Sequence, residues 1–266
     1  MTPAEQQFAG QGVVVVGAAD GVGRATATLL ASRGARVAAL DRNLEGCHET
    51  LDGLDGQAPE GLAVQMDVTD AVAVTAAVTQ AEEGLGRISV LVNCAGITGV
   101  TNRLSQDVDL DDWDLVHAIN LRGAFLLSRA VIPAMASRGY GRVLHVASIA
   151  GKEGNAGMVA YSASKAGLIG MVKAQGKEYA KTGVTVNALA PAVIRTAIVD
   201  AMPDEQIRYM TDKIPMGRTG SLTEAAEMNF VDRLAGLQLQ HGRGLRPLRR
   251  PSRLLTPAFP PYLSRQ

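Results

Sequence analysis

The chain has 266 residues, of which 47% are hydrophobic, 20% charged and only 4% aromatic. That is enough apolar material for one large layered domain, and it excludes a chain disordered throughout. Lysine plus arginine and aspartate plus glutamate each total 26, so nothing global calls for nucleic acid or an anionic membrane as partner.

Val13 to Val16 is a run of β-branched residues too short for a helix, and it reads as a strand buried on both faces. Glycines follow at once; Ala25 to Arg33 then reads as a helix ending before Gly34, and Arg36 to Leu40 as a second buried strand. The unit repeats. Leu62 to Met66 is expected as strand, Ala71 to Glu83 as helix, Ile88 to Val92 as strand, Asp111 to Arg138 as one long helix and Arg142 to Ala147 as strand. Met158 to Lys181 gives a further helix and Val184 to Ala188 a sixth strand. Strands alternating with helices of this length predict an α/β fold, a doubly wound parallel sheet with right-handed crossovers. Ala192 to Pro215 reads as loop and short helices, the texture of a lid.

Residues 1–228 are therefore expected to form one Rossmann-like domain. Residues 229–266 carry seven arginines against one acid, Asp232, and five of the eleven prolines, and are expected to be poorly ordered. Two cysteines, Cys47 and Cys94, cannot build a disulfide framework, and no Cys/His spacing suggests a metal. His48, His117, His145 and His241 receive no role. The N-terminus lacks the basic start and apolar run of a signal peptide, and no stretch approaches about 20 uninterrupted apolar residues. A cytoplasmic protein is expected.

Gly17, Gly21 and Gly23, between the first strand and its helix, would let a pyrophosphate approach bare amides at a helix N-terminus. A structural turn is the plain alternative. Asp41 closes the second strand about twenty residues on, where a carboxylate accepts from the two hydroxyls of an adenosine ribose and repels a 2′-phosphate. NAD is thus expected over NADP, although Arg42 next door could hold a phosphate and Asp41 could simply cap the following helix. Asp67, at the end of the third strand, could face the adenine or serve as a turn residue.

Tyr161 and Lys165 are spaced i, i+4, which puts phenol and ammonium on one helical face; Ser148 precedes the tyrosine by thirteen residues, and Asn120 lies in the long helix. Lowering a tyrosine from pKa 10 toward 7 needs roughly 4 kcal/mol of preferential phenolate stabilisation, which a lysine and a nicotinamide cation are expected to supply. Tyr161 could then exchange a proton with an alcohol or carbonyl while hydride moves to or from the cofactor.

Gly17-x-x-x-Gly21-x-Gly23, Asn93-Cys94-Ala95-Gly96, Asn120, Ser148 and Tyr161-x-x-x-Lys165, in this order, resemble the short-chain dehydrogenase/reductase family over roughly residues 8 to 228. The resemblance implies Tyr161 as acid/base, Lys165 on the nicotinamide ribose and tuning Tyr161, Ser148 on the substrate oxygen, and Asn120 holding a water in a proton relay. It implies cofactor contacts from Gly17, Asp20, Gly21, Val22, Gly23, Asp41, Asp67, Val68, Asn93, Ala95, Gly96, Val193 and Thr196, besides Tyr161 and Lys165. Val16, Cys94 and Ala192 stand where the family usually has threonine, asparagine and glycine.

Members of this type normally close with a Thr-Gly, a last strand and an Asp-Gly-Gly that complete the sheet and often a tetramer contact. Here TEAAEM leads into arginine- and proline-rich sequence, so the last edge strand is expected to be missing. A change of reading frame near Met228 and a divergent tail both account for this, and a basic RNA-binding tail is disfavoured by the lack of interleaved aromatics. The family's long helices usually form dimer faces, so a homodimer or homotetramer is expected.

The stretch from EGNAGMVAYSASKAG to KIPMGR resembles members that oxidise 2-keto-3-deoxy sugar acids such as 2-dehydro-3-deoxy-L-rhamnonate or L-fuconate, at C4, in sugar catabolism. It resembles 3-oxoacyl-carrier-protein reductases nearly as much, but those usually take NADPH. Lys152, Glu153, Asn155 and Arg195 would be the polar groups near a small hydroxy or sugar acid. A non-catalytic dinucleotide sensor or scaffold on the same fold is the alternative of a different class.

Overall fold

The computed structural model describes residues 7–54, 60–200, 204–212 and 214–229. The valine run is a strand buried on both faces. In β1 (Gly12–Val16) the valines are at most 1% exposed, with Val13 and Val15 packed into one core and Val14 and Val16 into the other. Period-two alternation thus feeds two hydrophobic layers from one strand.

β1 pairs in parallel with β2 (Arg36–Asp41) on one side and β4 (Val90–Asn93) on the other. With β3 (Leu62–Gln65), β5 (Gly141–Val146) and β6 (Val184–Leu189), the order is β3-β2-β1-β4-β5-β6, every pairing parallel. The strand order reverses between β1 and β4, and that crevice is where a doubly wound sheet places its ligand.

One face is covered by α1 (Gly21–Ser32), through Ala27, Leu30 and Ala31, and by Cys47 of α2 (Leu44–Asp52). The other is covered by α3 (Ala71–Leu85), through Val74, Ala77 and Val78, and by helices later in the chain. The single long helix expected over 111–138 is interrupted. α4 (Leu110–His117) runs into a π-helical turn (Ala118–Gly123), which hands over to α5 (Ala124–Ser137). Such a turn adds a residue to the helical repeat and re-aims what it carries; here it carries Asn120. Leu110–Ser137 is long and apolar enough by composition to cross a membrane, but half of that apolar window is buried, and Leu127, Val131, Ile132 and Met135 belong to the core.

The short α6 (Ala150–Glu153) precedes α7 (Val159–Glu178), which buries Leu168 and Val172 on the same face as α5. After β6 come α8 (Ala197–Asp200), α9 (Asp204–Thr211) and α10 (Leu222–Met228). The sequence did not suggest α2 or α10, and both start on side-chain caps. Asn43 accepts from Gly46 N at 3.1 Å, while Ser221 and Glu224 form a reciprocal capping box. Ala225 and Ala226 of α10 are buried, and Asn229 just past it donates to Thr26 Oγ1 of α1 at 2.9 Å. Among the described residues no strand pairs with the outer edge of β6. The expectation for the arginine- and proline-rich tail falls on residues 230–266, outside the described ones.

Candidate active site

The glycine turn sits at the C-terminal end of β1. Gly17 has φ +77°, and a Cβ there would lie 2.8 Å from Ala95 N; a Cβ on Gly23 would lie 1.8 Å from Gly17 O. Glycine at these two positions is therefore demanded by sterics, and it lets α1 begin directly behind the turn. A Cβ on Gly21 would meet open space, but its φ of +53° favours glycine there as well. Asp20 caps α1, accepting from Gly21 N at 2.6 Å, and Val22 O accepts from Thr26 Oγ1 at 2.7 Å in the helix's first turn. Bare amides at a helix N-terminus, bordered by open space, fit the pyrophosphate of a dinucleotide.

Asp41 ends β2 beside this turn. One carboxylate oxygen accepts from Ala19 N at 3.3 Å and the other from Asn43 N at 3.0 Å, which fixes the group's orientation and leaves each oxygen further lone pairs. Asp41 thus does both things considered for it, organising the next turn and presenting a carboxylate at the crevice. Asp67 is more committed: its Oδ1 accepts from Thr69 N and Thr69 Oγ1, both at 2.8 Å. Those bonds, with the charge of Arg42, hold its carboxyl below the usual range. Val68 packs against Gly123 of the π-turn, where a Cβ would stand 3.0 Å from Val68 Cβ.

At the end of β4, Asn93 Oδ1 accepts from Ala95 N at 3.1 Å and closes a turn through Gly96. A Cβ on Gly96 would lie 3.1 Å from both Asn120 Oδ1 and Lys165 Nζ, so this turn, the π-turn and α7 meet at one point. Asn120 is 1% exposed, and both N–H groups of its side chain are engaged. Its Nδ2 donates to Ile97 O at 2.9 Å and to Ser164 Oγ at 3.0 Å, and its Oδ1 accepts from Ile97 N at 2.9 Å.

Tyr161 and Lys165 lie on α7 as the i, i+4 spacing predicts, with Lys165 Nζ 5.8 Å from the Tyr161 ring centroid and donating to Val146 O at 2.8 Å. Ser148, in the segment after β5, lies near enough to the Tyr161 hydroxyl for its side chain to favour the ionised phenol. Its Oγ also accepts from Ala150 N at 3.1 Å. Burial pushes the Tyr161 phenol up, and Ser148 only partly opposes this. Lys165 contributes no lowering of the phenol in the chain by itself, contrary to the expectation from spacing. Burial also brings the Lys165 ammonium down to about 8, and its hydrogen bond goes to a backbone carbonyl, not to the phenol.

The segment after β6 runs beside Ser148. Ile149 N donates to Pro191 O at 2.9 Å, Gly220 N donates to Val193 O at 2.9 Å, and Arg195 N donates to Gly220 O at 2.7 Å. Thr196 O accepts from Asp200 N at the start of α8. Arg195 is exposed and already paired with Asp200 at 2.6 Å.

Three residues not singled out as site residues join the group. Ser164 donates to Tyr161 O at 2.8 Å and so links Asn120 to the tyrosine's backbone. Asn102 holds φ +59°, close against Gly157 in the loop before α7. His145 lies fully buried between Asn93 and Ser128, at 3.1 and 2.9 Å. Ligand spacing could not reveal it, because its partners are brought to it by strand register and helix packing.

The family profile described as short chain dehydrogenase matches residues 11–207. A 2-dehydro-3-deoxy-L-rhamnonate dehydrogenase (NAD(+)) from a Sphingomonas species is 42% identical over 222 residues, covering 84% of this chain and 87% of that protein. A 3-oxoacyl-[acyl-carrier-protein] reductase from Thermotoga maritima is 37% identical over 222 residues, covering 82% and 88%. The crystal structure of a putative short-chain alcohol dehydrogenase from Sinorhizobium meliloti superposes with a TM-score of 0.80 at 34% identity, covering 86% of this chain and 92% of that one.

Proposed function

The chain belongs to the short-chain dehydrogenase family and is an oxidoreductase; on that premise we propose that it oxidises a secondary alcohol of a small sugar acid with NAD. The observation that carries the reading is that Asn120 and Lys165 meet at Gly96 in the turn after β4, with the Tyr161 ring 5.8 Å from Lys165 Nζ, Ser148 near the Tyr161 hydroxyl and Asp41 beside the glycine turn.

The main chain of Gly17, Asp20, Gly21, Val22 and Gly23 would line the pyrophosphate, and Asp41 would hold the adenosine ribose. Asp67 and Val68 would flank the adenine, and Asn93, Ala95, Gly96, Lys165, Val193 and Thr196 would surround the nicotinamide half. Bound NAD would supply the hydride acceptor and a positive charge at the site. The alcohol's proton is left to the protein. Tyr161 takes it at the phenol oxygen, with Ser148 close to that hydroxyl and placed to hold the substrate oxygen alongside. Because burial raises the phenol, phenolate formation depends on summed positive charge from Lys165 and the cofactor. Both N–H groups of the Asn120 side chain are spent on Ile97 and Ser164, so a relay water would have to be held by its main chain or the remaining lone pair of its Oδ1.

Asp41 favours NAD, since a 2′-phosphate would meet its charge. The substrate is assigned as 2-dehydro-3-deoxy-L-rhamnonate, or the L-fuconate analogue, oxidised at C4 in cytoplasmic sugar catabolism. The 42% identity to a dehydrogenase of that name supports this. With Arg195 engaged by Asp200, the cation for the substrate carboxylate is Lys152, exposed on α6 just beyond Ser148. Leu110, Leu115 and Phe125 stand 77%, 50% and 47% exposed along the long helical run, which supports a homo-oligomer.

The test is NADH formation by the purified chain with NAD or NADP against 2-keto-3-deoxy sugar acids, free aldoses and 3-hydroxyacyl thioesters. Turnover with NAD and one sugar acid supports the reading. Turnover of the thioester with NADP transfers it to the reductase alternative, and NADH binding without turnover of any substrate to a sensor.

A further inference from the structure

Building on the dehydrogenase reading, we infer that His145 is a positioning residue of the cofactor site: as the neutral Nε2–H tautomer it orients the Asn93 side chain and, through it, the turn from Asn93 to Gly96.

The register of β4 against β5 makes Asn93 and His145 direct partners, so their side chains leave the sheet on the same face. On that face α5 supplies Ser128. All three side chains are at most 2% exposed, with Asn93 Nδ2 3.1 Å from His145 Nδ1 and Ser128 Oγ 2.9 Å from His145 Nε2.

The bonding pattern selects one tautomer. Asn93 Oδ1 is taken by Ala95 N, so Asn93 turns its amide N–H toward the ring. His145 Nδ1 must then accept, and the ring proton sits on Nε2, donating to Ser128 Oγ. An imidazolium would set an N–H against the Asn93 N–H and would also face the Lys165 ammonium. Burial and, next, Lys165 push the ring's pKa down to about 3, so it stays neutral.

The consequence reaches the cofactor pocket. The Asn93 amide, oriented by the ring, closes the turn whose Ala95 N stands against Gly17 and whose Gly96 stands beside Lys165 Nζ. Val146 O, the next residue on β5, accepts from that same lysine. Two consecutive residues of β5 therefore fix the two parts of the nicotinamide half of the pocket.

Three variants of the full chain separate this role from packing. His145→Asn keeps an acceptor where Nδ1 stood; His145→Gln keeps a polar group near Nε2 but not Nδ1; His145→Leu removes both. NADH affinity by fluorescence is expected to fall about tenfold in the Gln and Leu variants and to stay within about threefold of wild type in the Asn variant. Nitrogen-15 NMR of the wild type is expected to show Nδ1 unprotonated and Nε2 protonated. The opposite tautomer overturns the inference, as does a loss of affinity that merely follows each variant's thermal midpoint without separating Asn from Gln. If the Leu variant does not fold, the Asn and Gln pair and the NMR spectrum still decide. A wild type that fails to bind NADH contradicts the dehydrogenase reading and the cofactor role of His145 together. A wild type that binds while its variants do not separate contradicts the role of His145 alone.

Discussion

Asn120 faces Ile97 as a neighbouring strand would, its side-chain oxygen accepting from Ile97 N and its amide donating to Ile97 O, both at 2.9 Å. The π-turn aims the amide there, and the third bond, to Ser164, ties the loop after β4 to the helix bearing Tyr161 and Lys165. Asn120→Ala leaves the N–H and carbonyl of Ile97 without their partner, and each unmet group costs about 1–3 kcal/mol. We expect a loss of about 3 kcal/mol in urea unfolding, together with reduced turnover. Asn120→Asp should also be destabilised, because its carboxylate cannot donate to Ile97 O or Ser164.

Asp41 should set the choice between the two dinucleotides. Asp41→Ala is expected to lower the NAD-to-NADP ratio of kcat/KM by about tenfold or more, as removal of one unfavourable charge contact at a 2′-phosphate implies. Losing the bonds to Ala19 N and Asn43 N adds a modest stability cost. Initial rates with each cofactor check it; an unchanged ratio would assign the selectivity elsewhere.

Acid should unfold the protein partly through His145. Its folded pKa of about 3 lies below the ordinary imidazole value of 6.5, so the unfolded chain binds the extra proton first as pH falls. Stability from the neutral ring is complete above about pH 6.5 and is lost on acidification toward about 3, a change of a few kcal/mol. The urea midpoint of wild type should therefore drop more between pH 7 and pH 4 than that of His145→Asn, which has no ring to protonate.

The sheet was legible because buried parallel strands leave short β-branched runs such as Val13–Val16 and because glycine follows the first of them. The Tyr161 and Lys165 pair was legible because helical spacing alone puts them together. The break at Asn120 was not, since apolar residues continue unbroken through Ala118–Gly123 and a π-turn is fixed by what its residues bond to across the fold. The short α2 escaped notice because Gly46 and polar residues blur its period and only Asn43 marks its start. His145 was invisible for a related reason. Its partners lie 52 and 17 residues away, joined by register and packing. The direction of the Tyr161 shift depends on burial, which spacing does not report.

In the proposed reaction Tyr161 exchanges the proton with the alcohol and the hydride goes to NAD. Turnover of the best sugar acid by Tyr161→Phe, measured as NADH formation beside NADH affinity, tests it most directly. A fall in kcat of about 10²- to 10⁴-fold is expected, with affinity for NADH nearly unchanged; turnover close to that of wild type would remove Tyr161 from the proton transfer.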